Sequence, residues 1–347
     1  MTNAATTTER DLDPPRDLAA DFSPPAWLAN AHLQSVLPSL KLRKPLMVRR
    51  ARELLLATQD QIVDCGDGVR LLGHYSSQTA VGRAPAKDLV ILLHGWEGHA
   101  DSHYVLSLGQ HLFTLGCDIF RLNFRDHGPT HHLNQDIFHS CRLPEVVGAV
   151  SAIQQKFPDQ RLSIAGFSLG GNFALRVAAT APTAGIRLER AVAVSPVLHP
   201  NTTLLALEAG PFLYRQYFIG KWKRSLRIKQ QLFPQTFDFR SILATNSIRV
   251  MTERLVERHT EYGSLEDYLN GYAIVGEVLA KLAIPSYLLA AADDPIIPAS
   301  DLVHLAQNPC LTVTRVASGG HCGFMDHWNA PSWADRRVAR LMGLTRD

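Results

Sequence analysis

Leu162-Ser163-Ile164-Ala165-Gly166-Phe167-Ser168-Leu169-Gly170-Gly171-Asn172 is the stretch on which the reading of this 347-residue chain turns. Leu162–Ala165 reads as a strand and Leu169–Ala179 as a helix, with only Gly166-Phe167-Ser168 between them. A chain that passes from strand to helix in three residues forces strained dihedrals on the residue at the corner. Gly166 and Gly170, two positions to either side, remove the side chains that would collide there. A G-x-S-x-G pattern in this setting lifts the Ser168 hydroxyl above the end of a sheet, at the positive end of the following helix.

Outward from this turn the chain alternates short apolar runs with longer amphipathic segments, the pattern of a mostly parallel sheet flanked by helices. Leu89–Leu93 is wholly apolar, as expected of a strand buried on both faces. Tyr104–Leu115 predicts a helix, Asp118–Asn123 a strand, and Glu145–Phe157 a helix with Pro144 near its first turn. Ala191–Ser195, Ser286–Ala291 and Leu311–Val316 complete the parallel set. Gln61–Cys65 and Leu71–Tyr75 flank Gly66-Asp67-Gly68, a hairpin signal.

One connection breaks the rhythm. About ninety residues separate Ser195 from Ser286, where a simple crossover needs about a dozen. The segment from about 200 to 282 is aromatic and basic, with Phe212, Tyr217, Phe218 and Trp222 close to Lys221, Lys223 and Arg224. Ser264 three residues before Asp267 suggests a capping box. The expectation is a helical cap that shapes a pocket and excludes water. Residues 24–347 are then one α/β domain carrying this cap, and residues 1–23 a disordered tail.

Composition narrows the class. Apolar residues make up 46% and charged residues 19%, ordinary for an enzyme with a sizeable core. A net charge of +3 gives no reason to expect nucleic acid as a partner. The five cysteines are dispersed without a C-x-x-C pair, which suits reduced thiols in a cytoplasmic protein. The N-terminus lacks the basic and apolar regions of a secretory signal, and no run approaches the roughly 18 apolar residues of a spanning helix.

A serine hydroxyl needs a base within hydrogen-bond reach before it attacks a carbonyl. Fifteen histidines are available, so position must choose. His321, in Ser318-Gly319-Gly320-His321, follows the last strand on a glycine-rich loop that can carry an imidazole over the sheet edge. His199 and His259 fall at or within the insertion, His304 on an ordinary helix, and His327 beyond any strand end. The carboxylate that orients the imidazole belongs after the preceding strand, at Asp293 or Asp294. An oxyanion needs two backbone donors: Leu169 N–H, next to the nucleophile, and Trp96 N–H in His94-Gly95-Trp96-Glu97-Gly98.

Other signals carry less. His127, His131, His132 and His139 with Asp136 match no standard ligand spacing, so neither a metal nor a cofactor is expected. His131 and Asp136 form an H-x-x-x-x-D pattern linked with acyl transfer, but His321 and Asp326 repeat it, as chance allows in such a chain. The basic, aromatic patch of the insertion suits a pocket wall with a solvated face better than a peripheral membrane contact.

Taken together, these motifs resemble the YheT-type branch of the α/β-hydrolase superfamily. The likeness runs through Pro25-Ala26-Trp27, His32-Leu33-Gln34, Leu93 to Gly98, Ser102 to Val105, Asn123-Phe124-Arg125, Gly166 to Asn172, Asp293-Asp294-Pro295 and Gly319 to Phe324. It implies an α/β-hydrolase fold and a triad of Ser168, Asp294 and His321, with Asp294 as the acid. It also implies ester substrates, with relatives acting on lipid esters. The chain departs from the branch at Asp126, where glycine is usual after Asn-x-Arg, and at Cys141, where glycine is usual after His-Ser. The expected function is therefore hydrolysis of apolar or lipid-like carboxylic esters through an acyl-enzyme. An acyltransferase with an alcohol acceptor, or a non-catalytic binding protein on the same scaffold, are the rival readings.

Overall fold

The computed structural model describes residues 22–329 and 331–344. Eight strands form one sheet in the order β1-β2-β4-β3-β5-β6-β7-β8. They are β1 (Thr58–Asp64), β2 (Arg70–Ser76), β3 (Asp88–Leu93), β4 (Asp118–Leu122), β5 (Arg161–Phe167), β6 (Leu188–Val194), β7 (Ser286–Ala291) and β8 (Leu311–Val316). β2 pairs antiparallel with both β1 and β4, and the remaining pairs are parallel. The expected hairpin joins β1 to β2, closed by the Val69 N–H donating to the Gly66 carbonyl at 2.9 Å.

The central strand β3 is apolar from Leu89 to Leu93 because both of its faces are covered. Leu89, Ile91 and Leu93 of β3 face one layer, containing α5 (Leu143–Lys156) and α6 (Leu169–Thr180). Val90 and Leu92 face the other, with α3 (Arg52–Leu56), α4 (His103–Thr114) and α12 (Trp333–Leu341). Alternate side chains of one strand thus serve two cores. Helix α5 opens two residues before the predicted start and takes Pro144 into its first turn, where a missing N–H costs nothing.

Two short helices, α1 (Ala31–Val36) and α2 (Lys44–Arg50), precede α3. The predicted tail falls on residues outside the description as far as Asp21. Phe22, inside the predicted tail, is buried against Phe324 and Trp333. Between β6 and β7 lie α7 (Pro200–Ala209), α8 (Phe212–Leu232), α9 (Arg240–Leu243), α10 (Ile248–His259) and α11 (Leu265–Asn270). Ser264 caps α11 by accepting the Asp267 N–H, without the reciprocal bond of a capping box; the reciprocal pair is Ser332 and Asp335 at α12. No described helix is long and apolar enough to cross a membrane.

Candidate active site

Parallel strands end on one edge of the sheet, and that edge collects the loops after β3, β5, β6, β7 and β8. Ser168 stands at the corner between β5 and α6 with φ 53° and ψ −120°, a conformation that a non-glycine residue adopts only where its surroundings impose it. Its N–H donates to the Val194 carbonyl at 2.9 Å and its carbonyl accepts from Asn172 N–H at 3.0 Å. A side chain at Gly166 would lie 2.1 Å from the Gly170 carbonyl oxygen, and one at Gly170 would lie 2.4 Å from that of His94. Both glycines are therefore required by close backbone approach, as the sequence pattern predicts.

The loop after β8 brings His321 over this corner. Its Nε2 lies 3.0 Å from Ser168 Oγ, and its Nδ1 lies 2.9 Å from Asp294 Oδ2. Asp294 Oδ1 accepts the N–H groups of Ile296 at 2.8 Å and Ile297 at 3.0 Å. Only 2% of the Asp294 side chain and 12% of that of His321 are exposed. Burial pulls the imidazole pKa down, but the charge of Asp294 and the hydrogen bond that its carboxylate accepts from Nδ1 help to hold it well above the ordinary histidine value. Asp293 does a different task. Its Oδ1 accepts the Gly320 N–H at 2.9 Å and ties down the loop that carries the imidazole.

Two residues to which the sequence assigns no role, Ser35 and Gln34, complete this support. Ser35 Oγ accepts the His321 N–H at 2.8 Å and donates to the Ala31 carbonyl at 2.8 Å. Gln34, fully buried, donates to the carbonyls of Leu28 and Met325 and accepts the Met325 N–H at 2.7 Å. Helix α1 thus fixes a loop almost 290 residues away. The His32-Leu33-Gln34 motif was the one available pointer, though its spacing alone discloses no partner.

The loop after β3 lies against Ser168. A side chain at Gly95 would come 3.3 Å from Ser168 Cβ, and Tyr104 Oη accepts the Gly95 N–H at 3.0 Å. Among the described residues, neither Trp96 N–H nor Leu169 N–H has an acceptor. Two histidines shape the loop. His94 Nδ1 donates to the Gly95 carbonyl, and its Nε2 accepts the Phe124 N–H. His127 Nδ1 donates to the Arg125 carbonyl, and its Nε2 accepts the Glu97 N–H. Each imidazole is used once as donor and once as acceptor, which fixes the neutral form. Burial pushes His94 well below the ordinary value and His127 down to about 3.

Two more side chains of the histidine-rich loop are taken by partners in the insertion. His131 Nε2 meets Ser225 Oγ at 2.8 Å, and Asp126 Oδ1 meets Lys229 Nζ at 2.8 Å. No group of three or more His, Cys, Asp or Glu among the described residues is arranged to hold a metal. All five cysteines are free thiols.

Ser168 and His321 open on a cavity of about 1040 Å³. Insertion residues Leu204, Trp222, Leu255 and Tyr268 wall one flank, while Val36, Val48, Leu55 and Leu106 wall the other. Trp96 joins the insertion to the site. Its ring stacks on Phe218 at 5.4 Å and meets Trp222 edge-on at 5.2 Å, both residues belonging to α8. A large apolar cleft with a few convergent polar groups is the ordinary form of a small-molecule site.

Residues 88–327 match the alpha/beta hydrolase fold family. YheT of Escherichia coli K12, a protein named as a candidate esterase, is 24% identical over 315 residues, covering 88% of each chain. The monoacylglycerol lipase ABHD2 of Danio rerio is 23% identical, over 89% of this chain and 75% of its own. A pimeloyl-acyl-carrier-protein methyl ester esterase of Xanthomonas campestris is 28% identical over 71% of this chain and 92% of its own. Among solved structures, the Pyrococcus furiosus esterase Pf2001 superposes with a TM-score of 0.53 at 16% identity, covering 84% of this chain and 92% of its own. The likeness to YheT-type proteins expected from the motifs is borne out.

Proposed function

The chain belongs to the alpha/beta hydrolase fold family, and we propose that it hydrolyses apolar, lipid-like carboxylic esters with Ser168 as nucleophile. The observation that carries this reading is the chain of hydrogen bonds from Ser168 Oγ through His321 to Asp294, at the wall of a large apolar cavity. Relatives named as esterases and lipases support the reaction class.

In the proposed cycle Ser168 Oγ bonds to the ester carbonyl carbon while His321 Nε2 takes the hydroxyl proton. The carbonyl π electrons move to oxygen, and the N–H groups of Trp96 and Leu169 receive that oxyanion. Collapse expels the alcohol, which leaves with the proton from Nε2. Water then attacks the acyl-enzyme, gives a proton to Nε2, and the acid is released as the proton returns to Ser168. Asp294 holds the imidazole in the tautomer that presents Nε2 to the serine and stabilises the imidazolium formed twice in each turnover. The insertion acts as a cap, with Trp222 and Leu255 excluding water from the acyl chain.

Hydrolysis of p-nitrophenyl esters from acetate to palmitate, by wild type and Ser168→Ala in parallel, tests the reading. The wild type turns over with an optimum at medium or long chains, and the variant loses on the order of 10⁴-fold or more in kcat. Undiminished turnover by Ser168→Ala would overturn it.

A further inference from the structure

The cavity described above is not uniformly apolar. Around α2, the loop from 95 to 102, the start of α4 and α8, its wall carries Lys44, His99, His103 and Lys221. Burial first, and then the charges of Lys44 and Lys221, push the imidazoles of His99 and His103 below the ordinary value.

Negative charge to balance them is scarce. Asp101 is the one acidic residue lining the cavity among the described residues, and its carboxylate is held by the buried Arg121. Lys44 is exposed and makes no ion pair among the described residues. Lys221 spends one proton on the Glu97 carbonyl oxygen at 3.0 Å, a neutral acceptor. The Glu97 carboxyl also faces Lys221, but burial pushes it up to about 8, so it is largely uncharged at neutral pH. His103 Nδ1 donates to the Pro38 carbonyl, which leaves Nε2 available. Two ammonium groups and two imidazoles thus border a cavity containing one carboxylate that is already paired.

We propose that this end of the cavity is an anion subsite that takes a phosphate monoester carried by the substrate, so that the preferred esters are amphiphiles with an apolar chain and a phosphate head. The proposal rests on the ester-hydrolase reading above and adds the second half of the substrate. The chain occupies the flank walled by Trp222, Leu255 and Tyr268. The phosphate lies near Lys44 and His103, where charge-assisted hydrogen bonds replace the water it loses. Lysine suits this role as a compact charge with rotatable donors on a flexible stem.

Matched pairs of substrates test it: 1-butyryl-glycerol against its 3-phosphate in free solution, and 1-oleoyl-glycerol against its 3-phosphate in detergent micelles. The expected result is a kcat/KM favouring the phosphate by roughly tenfold in both pairs, with Lys44→Glu cutting that ratio by about the same factor. No preference for the phosphate, or a preference that Lys44→Glu leaves intact, would overturn the subsite. A preference confined to the micellar pair would also overturn it, because surface charge on the micelle would then be the attraction. Failure of the underlying reading looks different: Ser168→Ala would keep its turnover of the neutral butyryl ester.

Discussion

The loops at the sheet edge and the insertion above them are held by unlike means. Ser168, Asp294 and His321 follow three strands of one parallel ladder, and backbone N–H groups lock each in place. The insertion is fastened chiefly by side chains. Trp96 packs between Phe218 and Trp222, and Lys229 of α8 reaches a carboxylate, Asp126, in the loop after β4. On the proposed reading, chemistry is built where the backbone leaves least freedom, and substrate choice where side chains can be exchanged.

If that division is sound, substitutions at the edge change the chemical step and substitutions in the insertion change stability or substrate preference. The largest expected effect is that of Asp294→Asn, which leaves the shape but presents the wrong tautomer, and should lower kcat by roughly 10⁴-fold. Asp293→Ala removes the acceptor of the Gly320 N–H and leaves the Asp294–His321 contact in place, and should cost about tenfold. Equal losses in the two variants would erase the distinction drawn between neighbouring aspartates.

The second break falls on the insertion. Burial raises the Asp126 carboxyl pKa and lowers that of the Lys229 ammonium despite their contact, so desolvation outweighs attraction in this pair. Lys229→Met alone leaves a buried carboxylate unpaired and should cost about 3–5 kcal/mol in denaturant unfolding. Asp126→Gly with Lys229→Met should recover part of this loss, since Asp126 sits at φ 58°, where glycine is unstrained, although the Phe138 N–H and the Asn134 carbonyl lose these partners. A double variant as unstable as the single would refute the account of the pair.

A third test separates support from chemistry within the edge itself. Gln34→Ala removes two hydrogen bonds to the loop bearing His321 and one to Leu28, and about 1–3 kcal/mol of stability should go with them. Its kcat should fall while KM stays nearly constant. The smallest effect is in pH dependence. Asp294 raises the imidazole pKa, and only the neutral imidazole accepts the serine proton. kcat/KM should therefore rise with pH along a limb centred above the ordinary value of about 6.5. A limb centred below that value would contradict the electrostatics of the site.

Much of the edge was legible in the sequence because its signals are local. β7 and β8 match the predicted Ser286–Ala291 and Leu311–Val316 to the residue. β5 runs on to Phe167, beyond the predicted Ala165, because Gly166 and Phe167 still pair with β6 before the corner. The glycines around Ser168 and the strand-end position of His321 need only their own neighbours to be read. Contacts between distant segments had no such signature. Nothing near Gln34 foretells Met325, and nothing in the insertion marks Lys229 as the partner of Asp126. The histidines from 127 to 139 looked like a cluster by proximity in sequence. His127 proved to be a scaffold bonded to backbone, as did His94 in the loop after β3, a role that composition cannot distinguish from ligation.

The most direct test of the central claim is covalent labelling by a fluorophosphonate, read by intact-protein mass and then by peptide mapping. The account predicts one equivalent of phosphonate on the peptide containing Ser168, lost in Ser168→Ala and slowed in Asp294→Asn. Labelling elsewhere, or none in a protein that still cleaves esters, would contradict it.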